Sequence, residues 1–163
     1  MHHHKVFFVY FASTGPYDRG NGGVSMRKKI PLNTDYRYTH QDNNEFSDPF
    51  FDDSAWQMVD IPHNMIPITD NYNNDESFST AGWYRKYLST DLFDVNLRNV
   101  IECEGVASRA TVFLNGILTV VHDGGFTPFF IEIPLELISH NDGILLSIRV
   151  DASEKLPIAP YGG

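Results

Sequence analysis

The sequence predicts an all-β domain, an antiparallel β-sandwich or jelly roll. Two observations carry that prediction. Short runs rich in β-branched and aromatic residues recur along the chain between Gly, Pro, Asn and Asp turn signals, and no stretch sustains a long helical apolar period. The best-marked element is a hairpin: Ala110–Leu114 and Ile117–Val121 flank Asn115-Gly116, a dipeptide suited to the positive φ angles of a type I′ turn. Many short strands with almost no helix fit a sandwich.

Taken in order, the chain starts with His2, His3 and His4, which read as tag residue or natural sequence. Lys5 and the apolar run Val6–Ala12 have the outline of a short signal peptide, but a buried strand is the preferred reading. Residues 13–25 hold four glycines and a proline and read as a loop or linker. Residues 1–25 are therefore set apart as an N-terminal extension (tag, linker or added strand), and residues 26–163 as the domain. In Phe51–Trp56 the acidic pair and Ser54 cap a short turn while Trp56 enters the core. The stretch Asn71–Thr80 is polar and turn-rich, a surface loop of the kind that carries function.

Gly82–Ser89 and Asn99–Gly105 read as strands. In the first, one aromatic side is expected between the sheets, with Arg85 or Lys86 in solvent. Phe129, Ile131 and Ile133 alternate until Pro134, and a short helical turn follows at Leu135–Ser139. In the last strand Ile144, Leu146, Ile148 and Val150 face one way and Ser147, Arg149 and Asp151 the other, the pattern of a half-buried antiparallel strand.

Composition narrows the function. A chain of 163 residues that is 42% apolar and 13% aromatic suits one packed domain. Twelve basic against twenty-one acidic residues leave a charge of −9, which repels a phosphate backbone and excludes nucleic acid as partner. The Val6–Ala12 run is too short to cross a bilayer, which takes about 20 residues, so no membrane is expected. Cys103 is the only cysteine, so no internal disulfide and no cysteine-based metal site can form. No cofactor is expected. The expectation is a soluble protein of the bacterial cytoplasm or periplasm.

Several residues invite a functional reading. Glu102 and Glu104 stand two apart on a strand, about 6.5–7 Å from each other, near the separation of an inverting glycosidase's carboxylates. The preferred reading is a solvent-facing strand side. His63 and His122 lack the clustered spacing of a metal site and read as turn residues bonding locally. The Asp/Asn-rich stretches at 42–45 and 70–75 lack the alternation of a strong calcium loop, so no metal is expected. Trp56 and Trp83 read as core residues rather than sugar platforms.

The order of motifs adds a resemblance. From residue 31 the chain runs Pro-Leu-Asn-Thr-Asp-Tyr-Arg-Tyr, Phe51-Asp-Asp-Ser-Ala-Trp56 and Val59-Asp-Ile-Pro-His63. Then come Gly82-Trp-Tyr-Arg-Lys86, Glu104-Gly-Val106, Ala110-Thr-Val-Phe-Leu-Asn-Gly116, His122-Asp-Gly-Gly-Phe-Thr-Pro-Phe129 and Ile148-Arg-Val-Asp151. Over residues 26–163 this series is similar to the N-terminal, galactose-binding-like domain of family-two glycoside hydrolases, the group of β-galactosidases, β-glucuronidases and β-mannosidases.

The resemblance implies a non-catalytic sugar-binding and scaffold domain that braces a catalytic barrel and edges its substrate pocket. The family's catalytic glutamates lie on the barrel, so no catalytic residue is expected in this chain. Tyr161-Gly162-Gly163 resembles the opening of the domain's last strand, which implies truncation there. Where some β-galactosidases place a sugar-contacting asparagine, three residues before Gly82, this chain has Ser79. A second, acidic contact is expected at Asp151 or Glu154. The partners implied are carbohydrate, bound weakly through the parent enzyme, the parent's downstream sandwich and barrel domains, and a strand-mediated second copy. The alternative reading is an autonomous carbohydrate-binding module.

Overall fold

In the computed structural model two antiparallel sheets face each other across an apolar core, and the described residues are 5–6, 9–14, 28–65, 81–106 and 108–152. The chain begins with β1 (Lys5–Val6), β2 (Val9–Thr14), β3 (Lys28–Pro31) and β4 (Tyr36–Thr39). A 3-10 turn at Asn44–Ser47 precedes β5 (Gln57–Val59) and β6 (His63–Asn64). The long strands β7 (Ala81–Ser89) and β8 (Arg98–Cys103) follow, then the hairpin β9 (Arg109–Leu114) and β10 (Ile117–Asp123). Last come β11 (Phe129–Glu132), the short helix α1 (Leu135–His140) and β12 (Gly143–Asp151). One sheet has the order β10-β9-β12-β7-β4-β5, the other β11-β8-β2-β3, and β1 pairs with β6 alone.

The hairpin turns as its sequence demands: Asn115 and Gly116 have φ of 47° and 80°. Asn115 also ties the turn to β12, its side chain accepting from Leu145 N–H at 2.7 Å. Gly82 answers a different need. A Cβ there would stand 3.1 Å from Thr39 O and from Tyr38 Cε2, so β4 and β7 approach closely only because Gly82 has none.

Residues 1–25, set apart in the sequence, supply β1 and β2. Strand β2 lies inside the four-stranded sheet, with Phe11 opposite Ile101 of β8 and Ile30 of β3. Val9 and Phe11 are buried. Ser13 and Thr14 continue this strand rather than beginning the glycine-rich loop. Residues 15–25 and 153–163, including Tyr161–Gly163, lie outside the described residues.

The inner core joins Phe11, Ile101, Cys103 and Ile131 of one sheet to Tyr36, Tyr38, Tyr84, Val112, Leu146 and Ile148 of the other. Each such side chain contributes roughly 1.5–3 kcal/mol on burial. Burial pushes the Cys103 thiol up to about 12, with a smaller push from Glu102, so it is an inert core residue.

A second apolar layer corrects the sequence reading of β7 and β12. Residues 42–56 fold over the outer face of the six-stranded sheet. Phe46 packs edge-on to Trp56 and Trp83, with ring centroids at 4.8 and 6.0 Å, and Trp83 stacks on Phe113 at 5.6 Å. Trp83 is 0% exposed, yet its layer is this outer one and not the space between the sheets. Of Arg85 and Lys86, either of which was expected in solvent, Arg85 is 2% exposed. Its Nε lies 3.1 Å from Asp53 Oδ2, its Nη2 donates to Asp48 O, and it faces the Phe51 and Trp56 rings. Ser147 is likewise buried. Alternation reports two faces and assumes that one is wet; here a covering loop dries both. Trp56 itself is only half-buried, at the rim of this layer.

Candidate functional site

Both loops that the sequence nominated leave the same end of the six-stranded sheet. Ala81, the first residue of β7, stands opposite Asp151, the last of β12. Ser79 and Glu154 lie outside the described residues, as does the whole stretch Asn71–Thr80, so of the three nominated contacts only Asp151 has a described position. The register nonetheless fixes where the first stretch ends and the second begins: on adjacent strands, side by side.

Around Asp151 a charged row crosses the outer face. Asp123, Arg109, Asp151 and Ala81 are successive cross-strand partners on β10, β9, β12 and β7. Arg109 binds Asp123 through Nε at 2.6 Å and Nη2 at 3.2 Å. Arg149, two residues before Asp151 and therefore on its face, reaches Asp151 Oδ2 with Nη1 at 2.9 Å. The same guanidinium grips Asp42 with its other two nitrogens, and Asp42 Oδ1 also accepts from Trp83 Nε1 at 3.0 Å. Opposite charges thus pair along the row, Arg109 with Asp123 and Arg149 with Asp151.

The ion pairs shift the acid–base equilibria of their members. Hydrogen bonds from Arg149 hold the Asp42 carboxyl below the usual carboxylate range, and Arg109 does the same for Asp123. The Asp42 contact in turn raises Arg149 further above its ordinary value. Asp42 and Asp123 are thus anions at neutral pH, Asp42 held by Arg149 and Trp83 and Asp123 by Arg109.

The other nominated residues fall elsewhere. Glu102 and Glu104 are both ion-paired to Lys29, at 3.2 and 3.6 Å. His122 bonds locally, to Thr127 Oγ1 at 2.9 Å and Gly124 O at 3.2 Å. His63 does not: it sits in β6 and bonds the Tyr84 hydroxyl at 2.9 Å, 21 residues away, with its ring 4.6 Å from that of Tyr38. Among the described residues no group of three or more His, Cys, Asp or Glu could hold a metal. Of the two Asp/Asn-rich stretches, residues 42–45 form a turn in which Asn43 caps the 3-10 helix, and 70–75 lie outside the described residues. Also among the described residues, no helix is long and apolar enough to cross a membrane.

Sequence reasoning missed Asp42, Arg109 and Asp123. Arg109 and Asp123 had only a partial signal: counting from the Asn115-Gly116 turn sets Arg109 opposite His122, and the bulge between Leu118 and Val120 moves the register by one residue to Asp123. Asp42 had none.

No family model matches the chain. A β-galactosidase of Thermoanaerobacter pseudethanolicus is 31% identical over 136 residues, 83% of this chain and 18% of that protein. A β-galactosidase of Thermoanaerobacterium thermosulfurigenes is 31% identical over 138 residues, 85% of this chain and 19% of that one. Among solved structures, a Bacteroides uniformis β-glucuronidase superposes with a TM-score of 0.67 at 25% identity, covering 81% of this chain and 15% of that one. A β-glucuronidase from glycoside hydrolase family 2, at 18% identity and a TM-score of 0.56, covers 88% of this chain and 14% of its own and shows the shared fold. The chain thus spans less than a fifth of the curated relatives it matches. With motif order, sequence likeness and two-sheet fold in agreement, the chain belongs to glycoside hydrolase family 2, as one β-sandwich domain of a larger enzyme.

Proposed function

We propose that this is a non-catalytic, sugar-binding and scaffold domain of a β-galactosidase-like enzyme. It braces the catalytic barrel and edges the substrate pocket with the loops that leave the Ala81–Asp151 end. The register of Ala81 against Asp151 carries this reading, because it brings the end of the stretch 71–80 and the start of the segment after Asp151 together beside a row of charged donors and acceptors. Both relatives at 31% identity are β-galactosidases, which supports the galactosidase assignment. Lys29, bridging Glu102 and Glu104, supports a structural role for those carboxylates.

The test has two arms. The chain alone is expected to hydrolyse no aryl β-galactoside, β-glucuronide or β-mannoside above buffer, and to bind galactose with millimolar affinity at best, worth about 4 kcal/mol or less. In the full-length parent, Asp151→Asn is expected to lower kcat/KM for a galactoside while the melting temperature holds. Turnover by the chain alone that disappears in Glu102→Gln would overturn the non-catalytic reading. Micromolar binding by the chain alone would favour the autonomous module.

A further inference from the structure

A carboxylate accepts a sugar hydroxyl best when a neighbouring arginine does not clamp both of its oxygens. Arg149 is such a neighbour of Asp151. The two leave β12 on the same face, two residues apart. Left to itself, the guanidinium would close on Asp151 in a two-pronged pair.

The structure divides the guanidinium differently. Asp42 accepts from Nε at 2.8 Å and from Nη2 at 2.7 Å, and Asp151 meets Nη1 alone, 2.9 Å from Oδ2. An arginine turns one fork of two nitrogens toward one carboxylate, so the Asp42 contact sets the plane of the group and limits Asp151 to a single prong. Asp42 has an anchor of its own. Its Oδ1 also accepts from Nε1 of Trp83 at 3.0 Å, and Trp83 is wholly buried in the second apolar layer. The contacts therefore run Trp83, Asp42, Arg149, Asp151, from that layer to the end of β12 opposite Ala81.

We infer that Asp42 is a positioning residue for the sugar edge: by holding two nitrogens of Arg149 it keeps the Asp151 carboxylate turned to accept from a hydroxyl of a neutral sugar. The inference rests on the reading of Asp151 as a sugar contact. A brace for the covering loop needs only Asp42 and Arg149. Asp151 lies outside that brace, and it is the nominated contact that has a described position. The class of sugar follows from charge. All three guanidinium nitrogens are engaged, and two carboxylates outweigh one guanidinium, so the cluster suits a neutral hydroxyl and opposes a uronate.

Steady-state kinetics of the full-length parent on an aryl β-galactoside test the inference. Asp42→Asn is expected to raise KM about threefold to tenfold with kcat changed less than about twofold, the mark of lost binding rather than lost chemistry. Asp151→Asn is expected to raise KM as well. The double variant should be no worse than Asp151→Asn alone, because Asp42 acts only through Asp151. A mere brace of the fold would lower the melting temperature and leave KM where it was. An unchanged KM in Asp42→Asn overturns the inference, and so do effects of the two substitutions that multiply. Arg149→Lys keeps the charge without the fork and is expected to raise KM too. Should Asp42→Asn fail to fold, Arg149→Lys decides, and an unchanged KM there overturns the inference. If Asp151→Asn leaves KM unchanged, the reading of Asp151 as a sugar contact fails and this inference with it. If Asp151→Asn raises KM and Asp42→Asn does not, this inference alone falls.

Discussion

Asp42 and Arg149 stand 107 positions apart in sequence and meet in a two-pronged ion pair, Nε to Oδ1 at 2.8 Å and Nη2 to Oδ2 at 2.7 Å. The contact pins the start of the covering loop 42–56 to the end of β12, and it places Arg149 against Asp151. It joins the second apolar layer to the candidate sugar edge.

A double-mutant cycle with Asp42→Ala and Arg149→Ala is expected to give a coupling of about 1 kcal/mol, shrinking with added salt, since the pair is partly solvated. The pH dependence follows from sign. The folded carboxyl of Asp42 titrates below its ordinary value of 3.8, so its contribution is present above that value and lost as the pH falls through the folded pKa. Urea titrations between pH 5 and about pH 2 should show a shallower acid loss in Asp42→Asn than in the parent domain. An identical acid profile in the two would show that the pair contributes nothing.

Trp83 closes the layer beneath that loop. Its complete burial, its stacking on Phe113 and its bond to Asp42 predict that Trp83→Ala costs about 3–5 kcal/mol. Trp83→Phe should recover most of the packing and lose the hydrogen bond to the Asp42 carboxylate, worth about 1.5–3 kcal/mol. Thermal melting that does not change in Trp83→Ala would contradict the structure.

His63 supplies a second pH signature. Burial, and then the charge of His40, lower its pKa from 6.5. The unfolded state therefore takes up a proton at a pH where the folded state does not, and stability declines as the pH falls below about 6.5 toward the folded pKa. His63→Gln should flatten the stability profile between about pH 5 and pH 7. If the slope there matches that of the unaltered chain, another group controls it.

Deleting residues 1–14 removes β2 from between β8 and β3, along with the buried side chains of Val9 and Phe11. A domain with about 5–15 kcal/mol of stability is not expected to survive that loss. The truncated chain should be insoluble or lack cooperative unfolding, and Phe11→Ala alone should cost about 3–5 kcal/mol. A truncated chain that melts at the original temperature would make the segment an appendage.

Much of this domain is legible in its amino-acid sequence alone. Asn115-Gly116 determines the hairpin through backbone sterics, and alternation determines which of Ile144–Val150 face the inner core, because successive strand residues must point to opposite sides. Motif order leads to the family. Tertiary structure decides what lies over the other face. Local pattern cannot show that residues 42–56 cover the outer sheet, so it sends Ser147 toward solvent, leaves Arg85 as a candidate for solvent and gives Asp42 no role. It also reads His63 as a local turn residue, because Tyr84, its partner, is brought near only by β7. At the candidate edge the sequence nominates Asp151, but register alone sets it beside Ala81 and within the grip of Arg149. Such long-range pairings depend on how strands stack across the sheet, and no run of neighbouring residues encodes that.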